Sequence, residues 1–172
     1  KKAEELAPFG VSFVEGTLHD KDVLRKVMKT PGVQLVFHNA GNIDTSASFE
    51  AFYRDNFIGT KNVIEAFAES EATTFIFASS VSVYDTFLSD EKQKKFVYVI
   101  TEQTPIGQKA KEGYSHTKRL CEKLIKEYAE RFPSKKFVIT RIGPISGKKD
   151  RQILPNFITL LSLKGFPKLI GE

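Results

Sequence analysis

The sequence predicts an α/β fold with a parallel sheet, on three observations. Short apolar runs alternate with longer amphipathic stretches, the pattern of strands joined by crossover helices. One run, Gln34-Leu35-Val36-Phe37-His38-Asn39-Ala40, is apolar at successive positions, as expected of a strand covered on both faces. The 172 residues, 41% hydrophobic and 27% charged, suffice for one globular domain with a sizeable core.

Taken in order, Val11-Ser12-Phe13-Val14-Glu15-Gly16 is the first strand candidate. A helix is expected from about Asp20, an N-cap residue type, to Met28, with Pro31-Gly32 as its stop. Residues 34–40 form the second strand. Apolar residues at 49, 52, 53, 57, 63, 64 and 67 trace a helical stripe between Phe49 and Ser70. The third strand, residues 73–80, ends in the hydroxyls of Ser79 and Ser80. Residues 85–110 read as a charged irregular stretch containing Lys92, Lys94, Lys95 and Lys109. A helix from about Glu112 to Arg131 is stopped by Pro133, and residues 136–142 make a fourth strand. Residues 153–163 are expected to be helical.

Composition narrows the function classes. Lys plus Arg number 26 against 21 Asp plus Glu, a net charge of +5. The basic residues are spread along every helix, which admits an anionic ligand but argues against a nucleic-acid surface. A single cysteine, Cys121, excludes an internal disulfide and a multi-cysteine metal cluster. It fits a reducing compartment, so a cytoplasmic location and no metal are expected. No apolar run approaches the roughly 18–20 residues of a membrane span.

The sharpest constellation is Tyr114-Ser115-His116-Thr117-Lys118, which stacks Tyr and Lys on one helical face. A phenol titrates near pKa 10, and lowering that by three units takes about 4 kcal/mol, at ~1.36 per unit. A close, partly desolvated ammonium supplies most of that, giving a Tyr able to take a proton from an alcohol or return it to a carbonyl. Alone, such a pair is more often an aromatic beside a surface lysine. Ser80 adds context, because open α/β sheets build ligand sites at the carboxyl ends of their strands. Ser79 and Ser82 are alternatives for the inward-pointing hydroxyl.

Six blocks in order resemble the extended, epimerase-like branch of the short-chain dehydrogenase/reductase superfamily, from about Val11 onward. They are Val14–Asp20, Val36–Gly41, Asn56–Val63, Phe77–Tyr84, Tyr114–Lys118 and Arg141–Gly147. The resemblance implies a Rossmann-like doubly wound sheet and hydride transfer with NAD or NADP at a carbinol carbon. It implies Tyr114 as acid/base, Ser80 as donor to the substrate oxygen and Lys118 as partner of both phenol and nicotinamide ribose. Asn56 joins this catalytic set. Thr17, Leu18, His38, Ala40, Gly41, Pro144 and Ile145 would line the cofactor with Lys118, although the His38 ring reads as simply packed. A sterol-like or other small alcohol or ketone is the expected substrate. Nucleotide-sugar epimerase/dehydratase chemistry is the alternative, and a non-catalytic cofactor sensor or interaction protein a third reading. A homodimer is left open.

The glycine-rich fingerprint that holds a pyrophosphate does not occur between Lys1 and Val11. In the strand order 3-2-1-4-5-6, residues 11–16 would be the third strand and 34–40 the fourth. The expectation is an excerpt: residues 1–150 a partial NAD(P)-binding domain lacking its first two strands, residues 151–172 the start of a substrate region. By itself it is expected to be inactive and not to bind NAD(P). Thr17 also stands where the family usually has an acidic residue.

Overall fold

The structure, a computed structural model, describes residues 6–44, 46–84, 100–108, 112–147, 150, 155 and 158–159. Lys92, Lys94, Lys95, Lys109 and most of the 153–163 helix lie outside the described residues. Two compact units divide the chain, Lys1–Arg141 and Ile142–Glu172.

The first unit carries the sheet. The elements are helix α1 (Lys21–Met28), strand β1 (Leu35–His38), helix α2 (Phe49–Phe52), a π-helical turn Tyr53–Ile58, helix α3 (Gly59–Ala68), strand β2 (Thr74–Ser80), helix α4 (Gly113–Arg131) and strand β3 (Lys136–Ile142). The sheet order is β1-β2-β3. β1 and β2 are parallel, with Leu35 opposite Thr74 and His38 opposite Phe77. Bonds from the Lys136 amide to the Thr73 carbonyl and from Thr140 Oγ1 to the Phe77 carbonyl advance together along β2 and β3, so β3 is parallel too. Two crossovers stepping the same way across a sheet deliver their helices to the same face.

That face is the core. Val36, Phe75 and Phe77 from the strands meet Val63, Ile64 and Phe67 of α3, and Cys121, Ile125 and Tyr128 of α4. Phe67 lies 5.2 Å from Phe75 and 5.4 Å, edge-on, from Phe137. On α4 the buried stripe runs through Thr117 and Lys118, then Cys121 and Glu122, then Ile125 and Tyr128, successive turns lying three or four residues apart. Extended back one turn, it reaches Tyr114. The core stripe therefore runs straight into the predicted site.

Three expectations are corrected. Residues 11–16 are not a strand: no ladder forms there, and Val11, Phe13 and Val14 are exposed. A strand exists only through hydrogen bonds to a neighbour, and none of the described strands pairs with this segment. Second, β1 is covered on one face, not two. Val36 and His38 are buried while Leu35 and Phe37 are exposed, because the described helices pack on one side of the sheet. Third, the Asp20 side chain does not cap α1. Its carboxylate turns back to accept from the Thr17 amide and hydroxyl at 2.7 and 3.0 Å, which hold it below the usual carboxylate range.

The helix expected between Phe49 and Ser70 forms, with Ser48 capping its start by accepting from the Ala51 amide. The π-turn that interrupts it carries the buried Asn56, and such turns concentrate at functional sites. In the second unit Gly143–Gly147 is exposed, and the Thr159 hydroxyl donates to the Pro155 carbonyl. No helix among the described residues is long and apolar enough to cross a membrane.

Candidate active site

Five of the predicted residues converge where β1 and β2 end. Ser80 closes β2 and opens the short turn Val81–Val83, its Oγ accepting from the Ser82 amide at 3.1 Å. Tyr114, in the first turn of α4, has its phenol near the Ser80 hydroxyl and sets its ring edge-on against Phe52 at 6.0 Å. Lys118 is buried one turn on. Its Nζ donates to the Ala78 carbonyl at 2.8 Å, over the Phe77 ring at 4.7 Å and 5.6 Å from the centre of the Tyr114 ring. Asn56 projects from the π-turn, accepting from the Asn42 amide at 2.6 Å and donating to the Asn42 carbonyl and Thr117 Oγ1. Gly41 completes the set: a Cβ there would stand 3.1 Å from Asn56 Oδ1 and 3.7 Å from Lys118 Nζ.

The electrostatics differ from the expectation. Burial pushes the Tyr114 phenol above its ordinary value, and the Ser80 hydrogen bond, pulling down, does not offset it. The Lys118 ammonium is committed to a carbonyl and an aromatic face, and its own burial lowers it. The phenol is therefore protonated at neutral pH. In that form it donates a proton to a carbonyl oxygen; as a base toward an alcohol it must first lose its own.

His38 is buried, its Nε2 2.9 Å from Thr60 Oγ1 and its ring beside Phe75 and Phe77. Burial first, and Lys118 second, lower it to about 4, so it is neutral and packed. Thr17 is engaged with Asp20, while the Leu18 carbonyl accepts from Asn62 Nδ2 at 2.9 Å, tying that loop to α3. Ala40 is exposed beside Gly41, and Pro144 and Ile145 are exposed in the second unit. Among the described residues no three metal-ligating side chains cluster.

A nicotinamide dinucleotide fits part of this set. Bare backbone at Gly41, an ammonium beside it and a phenol one turn away suit a ribose and its nicotinamide. No glycine-rich strand-to-helix turn for a pyrophosphate occurs among the described residues.

Sequence reasoning gave no role to Asn42, Thr117 and Glu122, which bond to the site residues or their neighbours, and offered Ser79 only as an alternative inward-pointing hydroxyl. For Glu122 a signal existed: an acid four residues beyond Lys118 falls on the apolar stripe of the helix, where a carboxylate needs a partner.

Human sterol-4-alpha-carboxylate 3-dehydrogenase, decarboxylating, is 35% identical over 150 residues, 86% of this chain and 37% of that protein. The UDP-glucose 4-epimerase of Erwinia amylovora is 29% identical over 156 residues, covering 88% of this chain and 44% of its own length. This chain thus spans less than half the length of these relatives. The solved UDP-glucuronic acid 4-epimerase of Bacillus cereus, in complex with NAD, superposes with a TM-score of 0.70 at 20% identity, over 96% of this chain and 51% of that one, which shows a shared fold. With residues 1–170 matching its sequence profile, the chain belongs to the NAD dependent epimerase/dehydratase family.

Proposed function

We propose that this chain carries the proton-transfer side of an NAD(P)-dependent dehydrogenase acting at a carbinol or carbonyl carbon. The observation that carries the reading is the convergence of Ser80, Tyr114 and Lys118 at the end of β2. Tyr114 holds or moves the proton of the substrate oxygen. Ser80, near that phenol, orients the same oxygen. Lys118, next to Gly41, is placed to hold a ribose hydroxyl. A nicotinamide held beside Lys118 and Gly41 would supply hydride chemistry at the carbinol carbon. Thr17, Leu18, Ala40, Pro144 and Ile145 are proposed as further cofactor contacts, with His38 through its backbone, its ring being packed, and Asn56 as part of the catalytic set. Residues 1–150 are the proposed cofactor domain and 151–172 the start of the substrate region, in a cytoplasmic protein that acts on a small molecule.

A sterol carboxylate is the preferred substrate class, because the sterol dehydrogenase is the more similar of the two relatives compared. The test uses the whole protein with NAD or NADP and either a sterol 4α-carboxylate or UDP-glucose, followed by cofactor absorbance and product analysis. Cofactor reduction by the sterol is expected, falling by about 10²–10⁴-fold in Tyr114→Phe. Interconversion of the nucleotide sugar assigns the epimerase alternative. Cofactor binding without turnover of either assigns the sensor reading.

A further inference from the structure

We propose that Glu122 and Arg141 are positioning residues, an ion pair with a buried carboxylate that fixes the Ser80 hydroxyl near the Tyr114 phenol by gripping the chain on both sides of Ser80. Their catalytic relevance rests on the function proposed above; the geometry does not.

Glu122 sits in the middle of α4 and is 1% exposed. Its Oε1 accepts from Arg141 Nε at 3.0 Å and Oε2 from the other arm of the guanidinium at 2.8 Å, a two-pronged contact. Oε1 also accepts the Ser79 hydroxyl at 2.6 Å. Arg141, on β3, directs its third nitrogen to the Tyr84 hydroxyl at 2.6 Å, and Tyr84 donates on to the Thr101 carbonyl. Ser79 precedes Ser80 directly, and Tyr84 follows it across the turn Val81–Val83. Both flanks of Ser80 are therefore tied to one ion pair. Since α4 bears both Glu122 and Tyr114, the Ser79 bond also fixes β2 relative to the helix that carries the phenol.

Stability alone does not account for such a pair. Withdrawing a carboxylate from water incurs a desolvation cost that its attraction to a cation often only balances, and well-packed apolar side chains often fill such a space equally well. What apolar residues cannot supply is direction. The Ser80–Tyr114 contact requires a hydroxyl at a defined position, and a misplacement near 1 Å costs about 10²-fold in rate.

The test uses the whole protein with its tyrosines labelled by a stable carbon isotope at the phenol carbon, the Tyr114 resonance being assigned through Tyr114→Phe. Glu122→Gln keeps the shape and removes the charge; Ser79→Ala removes one hydrogen bond and leaves the pair; Arg25→Ala, on a surface pair with Glu69, is the control. Glu122→Gln and Ser79→Ala should each move the Tyr114 resonance toward its position in Ser80→Ala. With whichever of the two substrates is turned over, kcat should fall by about 10- to 100-fold while KM for the cofactor stays within about twofold. The control should change neither. An unmoved Tyr114 resonance in Ser79→Ala overturns the proposal even if Glu122→Gln fails to fold. So does a variant whose resonance moves while kcat in an active protein is unchanged. If the wild-type protein turns over neither substrate, the functional reading fails, and the resonance alone still decides whether the pair positions Ser80.

Discussion

The deepest expectation concerns His38 and acid. In the unfolded chain its imidazole takes up a proton near the ordinary value of 6.5; in the fold, burial first and the Lys118 ammonium second lower it to about 4. Between those two values the unfolded state binds more protons than the folded one. Stability therefore rises with pH across the window and falls as pH drops from 6.5 toward 4. At about 1.36 kcal/mol per pH unit, complete passage costs about 3 kcal/mol, a large part of a typical domain's stability. Above pH 6.5 the contribution is fully present. The assay is urea unfolding at a series of pH values for the wild-type protein and for His38→Gln. Carboxylates titrate alike in both proteins, so the difference in slope isolates His38. The wild type should lose about 1.4 kcal/mol more per pH unit between pH 6 and pH 5. Lys118→Met should recover the smaller share of this, because burial is the larger cause. Parallel pH profiles for wild type and His38→Gln would refute the reasoning.

The same contacts set the remaining expectations. Phe67→Ala empties a fully buried site between Phe75 and Phe137 and should destabilise by about 3–5 kcal/mol in denaturant unfolding. Gly59→Ala gains about 1 kcal/mol of helix propensity. However, it drives a Cβ to 2.9 Å from Leu18 Cδ1 and 3.1 Å from Leu18 Cβ, on a residue whose carbonyl Asn62 holds. Overpacking costs about 1–3 kcal/mol, so the net change should be destabilising. The Cys121 thiol, buried and pushed up to about 11, should resist alkylation at pH 8 in the native protein and react once unfolded. Because burial holds the Tyr114 phenol above its usual value, alcohol oxidation should accelerate as pH rises through the alkaline range. That acceleration should vanish in Tyr114→Phe, as steady-state pH profiles will show.

How far the sequence was legible depended on the kind of information each feature needed. Strands β1, β2 and β3 and the helices expected between Asp20 and Arg131 lie within two residues of expectation, because periodicity and stop signals such as Pro31-Gly32 and Pro133 are local. Residues 11–16 failed because a strand is a relation to a neighbour, and the Val11, Phe13 and Val14 pattern says nothing of where that neighbour is. The π-turn Tyr53–Ile58 was invisible for another reason. Each of its residues is compatible with an α-helix, and the widened turn is visible only in the backbone geometry around Asn56. The convergence of Gly41, Asn56, Ser80, Tyr114 and Lys118 followed the order of the sequence blocks. The direction of the phenol shift did not, because it depends first on how deeply the folded chain buries Tyr114.

Helix α4 shows how one stripe serves two purposes. Toward its C-terminal half, Ile125 and Tyr128 bury apolar surface, and truncating them should lower stability with little consequence for site geometry. Toward its N-terminal half the same face carries Thr117, Lys118 and Glu122, all buried and all hydrogen-bonded: to the Tyr114 carbonyl and Asn56, to the Ala78 carbonyl, and to Arg141 and Ser79. Each polar group there must keep its partner or incur a desolvation cost, so few alternative arrangements are open to it. The apolar half thus determines that the helix docks, and the polar half determines where its first turn, with Tyr114, comes to rest. A substitution that preserves volume should be tolerated at Ile125, whereas one at Glu122 or Thr117 should displace the phenol even where the fold survives.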